Sequence, residues 1–174
     1  MNLAIPSDAL VVLIGPAGCG KSTFAGRHFA PTQVVSSDEC RALVSDDPNN
    51  SRASADAFAL MHFIVDKRLK RGRLTVADAT NVHSDKRAAL LSIAANHRRP
   101  VVAVVFDLPE TVCQDRNKAR EVRVVPYAAI AGQAKRLREA IPGLAAEGFS
   151  AVHVLGTVEE VADVAVVLGA SAAD

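Results

Sequence analysis

Leu10-Val11-Val12-Leu13-Ile14 runs straight into Gly15-Pro16-Ala17-Gly18-Cys19-Gly20-Lys21-Ser22. The first five residues are apolar without a break and three are β-branched, the pattern of a strand covered on both faces. The next eight satisfy G-x-x-x-x-G-K-[ST] at every position. Glycines at those places let the backbone turn so that successive N–H groups face phosphate oxygens. A helix starting at Lys21 adds its positive end. This is the pattern of an NTP cradle, with Gly15, Gly18, Cys19, Gly20, Lys21, Ser22 and Thr23 around the phosphates. Lys21 reaches the β- and γ-phosphates, and the Ser22 hydroxyl holds Mg²⁺. The cradle says nothing about which group accepts the phosphoryl.

Outward from that stretch, apolar runs at 33–36, 74–77, Val101–Phe106 and Ala151–Leu155 read as further strands. Helical patterns fall at 21–29, 53–71 and 84–97, then from Pro109 to about Ala140 with a break near 124–126, and last at 158–168. Phe58, Met61, Val65 and Leu69 form one stripe of the second of these. The polar stretch SDDPNNSR at 45–52 is turn chemistry, where Asp46 and Asp47 read as loop solvation. Strands alternating with helices predict an α/β fold, a parallel sheet flanked by helices with right-handed crossovers. Ligands in such sheets bind beyond the carboxyl ends of the strands, and each motif described here sits at such an end.

The 174 residues are enough for one domain and too few for two. A 49% apolar and 22% charged composition is that of a folded globular chain. No apolar run reaches the ~20 residues of a membrane span, and the N-terminus has no signal-type segment, so a cytoplasmic location is expected. Three cysteines are an odd count without metal-ligand spacing. A net charge of +1 provides no general attraction to polyanions, so any such ligand needs a local basic surface. The expected domain is 1–169, with a loose small-residue tail at 170–174.

Three further groups surround the cradle. Asp38 closes the second strand, with Arg41 one helical turn on. That carboxylate suits either a general base on an acceptor hydroxyl or a helix N-cap. Asp78 closes the third strand, placed either to bind a water of the Mg²⁺ shell or to form a turn. Arg116, Arg120 and Arg123 share a helical face. They read as a lid of guanidinium groups over the transferring phosphate, or as a solvated basic stripe. The histidines show no ligand spacing, and no D-x-D-x-T motif is present because position 76 is Val.

SSDECR, DATN and LPETVCQDRNKAR, with the cradle itself, make the chain resemble the kinase module of bacterial RNA-repair polynucleotide kinase-phosphatases. The resemblance implies a five-stranded sheet of order 2-3-1-4-5 and a helical lid at about 114–126. It implies ATP or another NTP as donor, Mg²⁺, and a 5′-hydroxyl RNA or DNA end as acceptor. It further implies Lys21, Asp38 and Arg116 as catalytic residues, with Asp38 as the base. Arg41 would then hold the acceptor's adjacent phosphate, and Arg120 and Arg123 would support Arg116. Phosphatase and ligase-like modules would belong to a longer parent chain. Two other readings remain: a small-metabolite kinase of the gluconate or shikimate type, and a nucleotide-binding switch without transferase activity.

Overall fold

The computed structural model describes residues 1–120 and 124–170. Its strands are β1 (Asn2–Pro6), β2 (Leu10–Ile14), β3 (Val34–Ser36), β4 (Thr75–Asp78), β5 (Val101–Phe106), β6 (Ala151–Leu155) and β7 (Ala165–Gly169). Its helices are α1 (Lys21–His28), α2 (Ser37–Ser45), α3 (Ser54–Lys70), α4 (Ser84–Asn96), α5 (Glu110–Lys118), α6 (Tyr127–Ala140) and α7 (Val158–Asp163). Five strands form one sheet in the order β3-β4-β2-β5-β6, every neighbouring pair parallel. With Leu10–Ile14 counted as the first strand, this is the order 2-3-1-4-5 that the resemblance implied.

The central strands are apolar throughout because both faces are covered. Leu10, Val12 and Ile14 enter one core with Val101, Ala103 and Val105, roofed by α3 and α4. Val11 and Leu13 enter the other with Val102, Val104 and Phe106, against Phe24 and Ala25 of α1. The two-residue period of each strand divides it between the two cores. On α3, Ala57, Met61, Val65 and Leu69 recur every four residues and are buried. Phe58 was expected on that stripe, yet it lies one position round the helix and is only half-buried.

The chain ends depart from expectation. The last helix, read over 158–168, stops at Asp163. It begins at a Thr157–Glu160 capping box, and the chain turns extended at Val164. Ala165–Gly169 is then a strand, paired in parallel with β1 from Asn2↔Ala165 to Pro6↔Gly169. Gly169, the last residue of the expected domain, is also the last of that ladder; 171–174 lie outside the described residues. Strand β1 was not foreseen either, although Leu3 and Ile5 alternate inward and are fully buried in the α1-side core. No helix among the described residues is long and apolar enough to cross a membrane.

Candidate active site

The loop from Gly15 to Gly20 is pinned on three sides. Gly15 donates its N–H to the Thr80 carbonyl (2.9 Å), tying the loop to the end of β4. Gly18 has φ 83°, and a Cβ there would lie 2.1 Å from the Cys113 carbonyl oxygen of α5. Only glycine fits such a close approach. Ala17 donates its N–H to Gln133 Oε1 of α6 (2.8 Å). The Lys21 ammonium donates to the carbonyls of Gly15 (2.9 Å) and Pro16 (2.8 Å), placing its charge at the centre of the loop. No side chain caps the N-terminus of α1 and its first turn holds no acidic residue. Its positive end therefore faces the loop uncompensated. Cys19 and Cys113 are buried free thiols beside the loop. Burial, then the neighbouring Cys19, pushes the Cys113 thiol up to about 11, so it stays protonated and inert.

Ser22 donates its hydroxyl to Asp78 Oδ2 at 2.7 Å. The Asp78 carboxyl is 5% exposed. Burial raises its pKa above the usual carboxylate range, against the pull of the Lys21 charge and the Ser22 hydrogen bond. Among the described residues no group of three or more His, Cys, Asp or Glu side chains is arranged to hold a metal ion. A hydroxyl beside one carboxylate is instead the sparse donor set with which Mg²⁺ is held when phosphate oxygens and waters complete its shell. Ser22 and Asp78 thus fit that ion.

Across the same cleft, Asp38 stands on the first turn of α2. The N-cap of that helix is Ser36, whose hydroxyl accepts from the N–H groups of Asp38 (3.3 Å) and Glu39 (3.4 Å). The capping alternative for Asp38 is thereby removed. Its carboxylate takes a 2.7 Å hydrogen-bonded ion pair from Arg41 Nη1, which also donates to the Pro48 carbonyl at 3.1 Å. Arg41 is 5% exposed, and its buried Nε has no hydrogen-bond partner among the described residues. Lys21, Ser22, Asp38, Arg41, Asp78 and Arg120 line one cleft.

Arg116 of α5 lies over the loop, its Nη1 donating to the Cys19 carbonyl at 3.4 Å. It shares a second cleft with Gly18, Gly20, Thr23 and Arg27, and Arg120 borders both clefts. Arg123 lies outside the described residues. The nearby Lys118 and Lys135 are solvated, whereas Arg116 faces the cradle.

Sequence reasoning missed several residues that hold this arrangement. Asn117 clamps the start of α6 to the end of α5 through paired bonds with Val125 (2.8 and 2.9 Å). Asn81, at φ 49°, donates to the Leu13 carbonyl (2.8 Å) and so joins the ends of β2 and β4. Arg87, fully buried, makes a bidentate pair with Glu147 (2.7 and 2.6 Å) and donates to the Asn81 carbonyl. Both asparagines stand inside motifs already quoted, DATN and QDRNKAR, which was the available signal. Gln133 had none.

The profile of the AAA domain family matches residues 10–140. The chain belongs to that family. This AAA domain is 31% identical over 111 residues to "Transcription factor bHLH140" of Arabidopsis thaliana, an alignment covering 64% of the chain and 11% of that protein. Among solved structures it is similar to a chain of the Pnkp1/Rnl/Hen1 RNA repair complex, with TM-score 0.67 and 22% identity over 82% of this chain and 47% of that one. It is also similar to a gluconokinase from Sinorhizobium meliloti 1021, with TM-score 0.57 and 15% identity over 91% and 88% of the two chains. At these identities the structural likeness establishes the fold alone, a parallel sheet flanked by helices. The AAA domain spans only about a tenth of the plant relative and under half of the repair-complex chain.

Proposed function

We propose that this chain is a polynucleotide 5′-hydroxyl kinase, moving the γ-phosphoryl of an NTP to a 5′-OH nucleic-acid end. The observation that carries the reading is the Asp38–Arg41 pair, 2.7 Å apart at the far wall of the cleft that holds Lys21, Ser22 and Asp78. A bare carboxylate would serve any alcohol. A carboxylate joined to a deeply buried arginine with an unmatched Nε serves an alcohol that brings its own anion, as a strand end brings its first phosphate. The repair-complex chain, named for RNA repair, supports the same class of substrate.

Asp38 accepts the hydroxyl proton while the alkoxide oxygen bonds to the γ-phosphorus. The bond from that phosphorus to its bridging oxygen breaks, and a nucleoside diphosphate leaves. Lys21 and the loop N–H groups hold the phosphates, with Gly15, Gly18, Cys19, Gly20 and Thr23 shaping that cradle. Arg116, with Arg120, meets the charge that spreads over the transferring group. Ser22, and Asp78 through water, would hold Mg²⁺, which would supply charge neutralisation at the phosphates. In this reading further phosphatase and ligase-like modules accompany the kinase in a longer protein.

The test is transfer of labelled γ-phosphate, with Mg²⁺ present, to 5′-OH RNA and DNA oligomers and, in parallel, to gluconate. Label on the oligomers and none on gluconate supports the reading. Label on gluconate alone replaces it with the small-metabolite reading. NTP turnover without any acceptor dependence would leave a nucleotide-binding switch.

A further inference from the structure

We infer that Phe58 is the stacking platform for the terminal nucleobase of the acceptor strand, which makes it a specificity-determining residue. This rests on the polynucleotide reading above and deepens it. Of the seven Phe and Tyr residues in the chain, Phe24, Phe29 and Phe106 pack on one another in the core. Phe58 does something else: it is half-buried and lines the polar cleft of Asp38, Arg41 and Asp78. No other aromatic side chain among the described residues lines that cleft. Phe58 packs against the core beneath α3 and α4, while Lys86 Nζ of α4 stands over the ring, 5.0 Å from its centroid. Lys86 does not line the cleft, so the part of Phe58 that does is left open to a planar group.

The geometry of a nucleotide makes this wall the place for a base. The terminal base hangs from the same sugar that bears the 5′-hydroxyl and the first phosphate. Once Asp38 takes the hydroxyl and Arg41 the phosphate, the base is confined to the cleft wall between α2 and α3, and Phe58 is the π surface there. The neighbouring His62 ring, 6.2 Å away, has its pKa lowered by burial and then by the Lys86 charge. Stacking accepts every base because each has a π face, so the site selects for a base without reading its identity. A sugar acid or other small alcohol has nothing to stack.

Steady-state kinetics with two 5′-OH oligonucleotides, one natural and one abasic at its terminal residue, test the inference on wild type, Phe58→Leu and Phe58→Tyr. Leu retains apolar volume against the α3 core, so folding is preserved and only the π face is lost. Stacking predicts that Phe58→Leu raises the acceptor KM roughly tenfold on the natural strand with kcat little changed, and that Tyr restores it. It predicts the same rise for wild type on the abasic strand, and no further rise when both changes are combined. An unchanged KM in Phe58→Leu, or losses that simply multiply, overturns the stacking role and leaves the kinase reading standing. Absence of transfer from wild type to either oligonucleotide overturns both.

Discussion

Two carboxylates share the cleft in different surroundings. Asp38 is half-open to solvent and paired with Arg41. Asp78 is buried beside Ser22, and its surroundings oppose its charge. Substituting each by Asn therefore has distinct consequences. Asp38→Asn is expected to lower kcat by roughly 10²–10⁴-fold with NTP affinity nearly unchanged, because a general base is lost and the Ser36 cap remains. Full turnover in that variant would remove the base role. Asp78→Asn is expected to lower Mg²⁺-dependent transfer by about 10–100-fold, the usual effect of an outer ligand. It should also raise the melting temperature at neutral pH. The sign follows from the raised pKa: the folded state holds the proton more tightly than the unfolded one, so this group's contribution to stability is lost as pH climbs through that range. Asn carries no charge to bury. A lower melting temperature for Asp78→Asn would contradict this account of its burial.

At the scale of elements, the decisive pairing is α5 against the loop. The Cys113 carbonyl packs on Gly18, and one turn later Arg116 reaches the Cys19 carbonyl, so α5 is seated on the cradle by its backbone and armed by its side chain. Asn117 then turns the chain back through Val125 into α6, whose Gln133 returns to Ala17. Arg116→Ala is expected to lower kcat by about 10²-fold or more with a smaller change in NTP KM, since the charge it meets develops in the transition state. Arg116→Lys should recover only part of that loss, because a point charge lacks the planar fork. Wild-type kcat in both variants would show a solvated stripe instead.

The whole molecule is closed by its two ends. Strands β1 and β7 pair only with each other, yet Leu3 and Ile5 lie wholly within the core that also holds Phe24 and Phe106. The N-terminal strand is thus part of the packing beneath α1 and the cradle. Ile5→Ala is expected to cost about 2–5 kcal/mol in urea unfolding, the range for deleting a buried aliphatic side chain. Val167→Ala, on the 48% exposed outer face of β7, should change stability by less than about 0.5 kcal/mol. Equal effects would mean that the two-stranded ladder does not close the domain.

The cradle, the five-strand alternation and the buried stripe of α3 were legible in the sequence because each depends on neighbours a few residues apart. A Gly-x-x-x-x-Gly-Lys-Ser turn, a two-residue period and a four-residue period are written in consecutive side chains. Asp38, Arg41, Asp78 and Arg116 were legible too, as residues at strand ends or on one helix face. What they touch was decided only in three dimensions. Whether Asp38 or Ser36 caps α2 turned on hydrogen-bond geometry that composition leaves open. The Ala17–Gln133 bond joins residues 116 apart, and β1 meets β7 across almost the entire chain. A short strand such as Asn2–Pro6 has too few residues to declare itself, and a Val-rich run after Asp163 reads equally as helix. Each becomes a strand because the other supplies its ladder, and that mutual dependence exists only in the folded state.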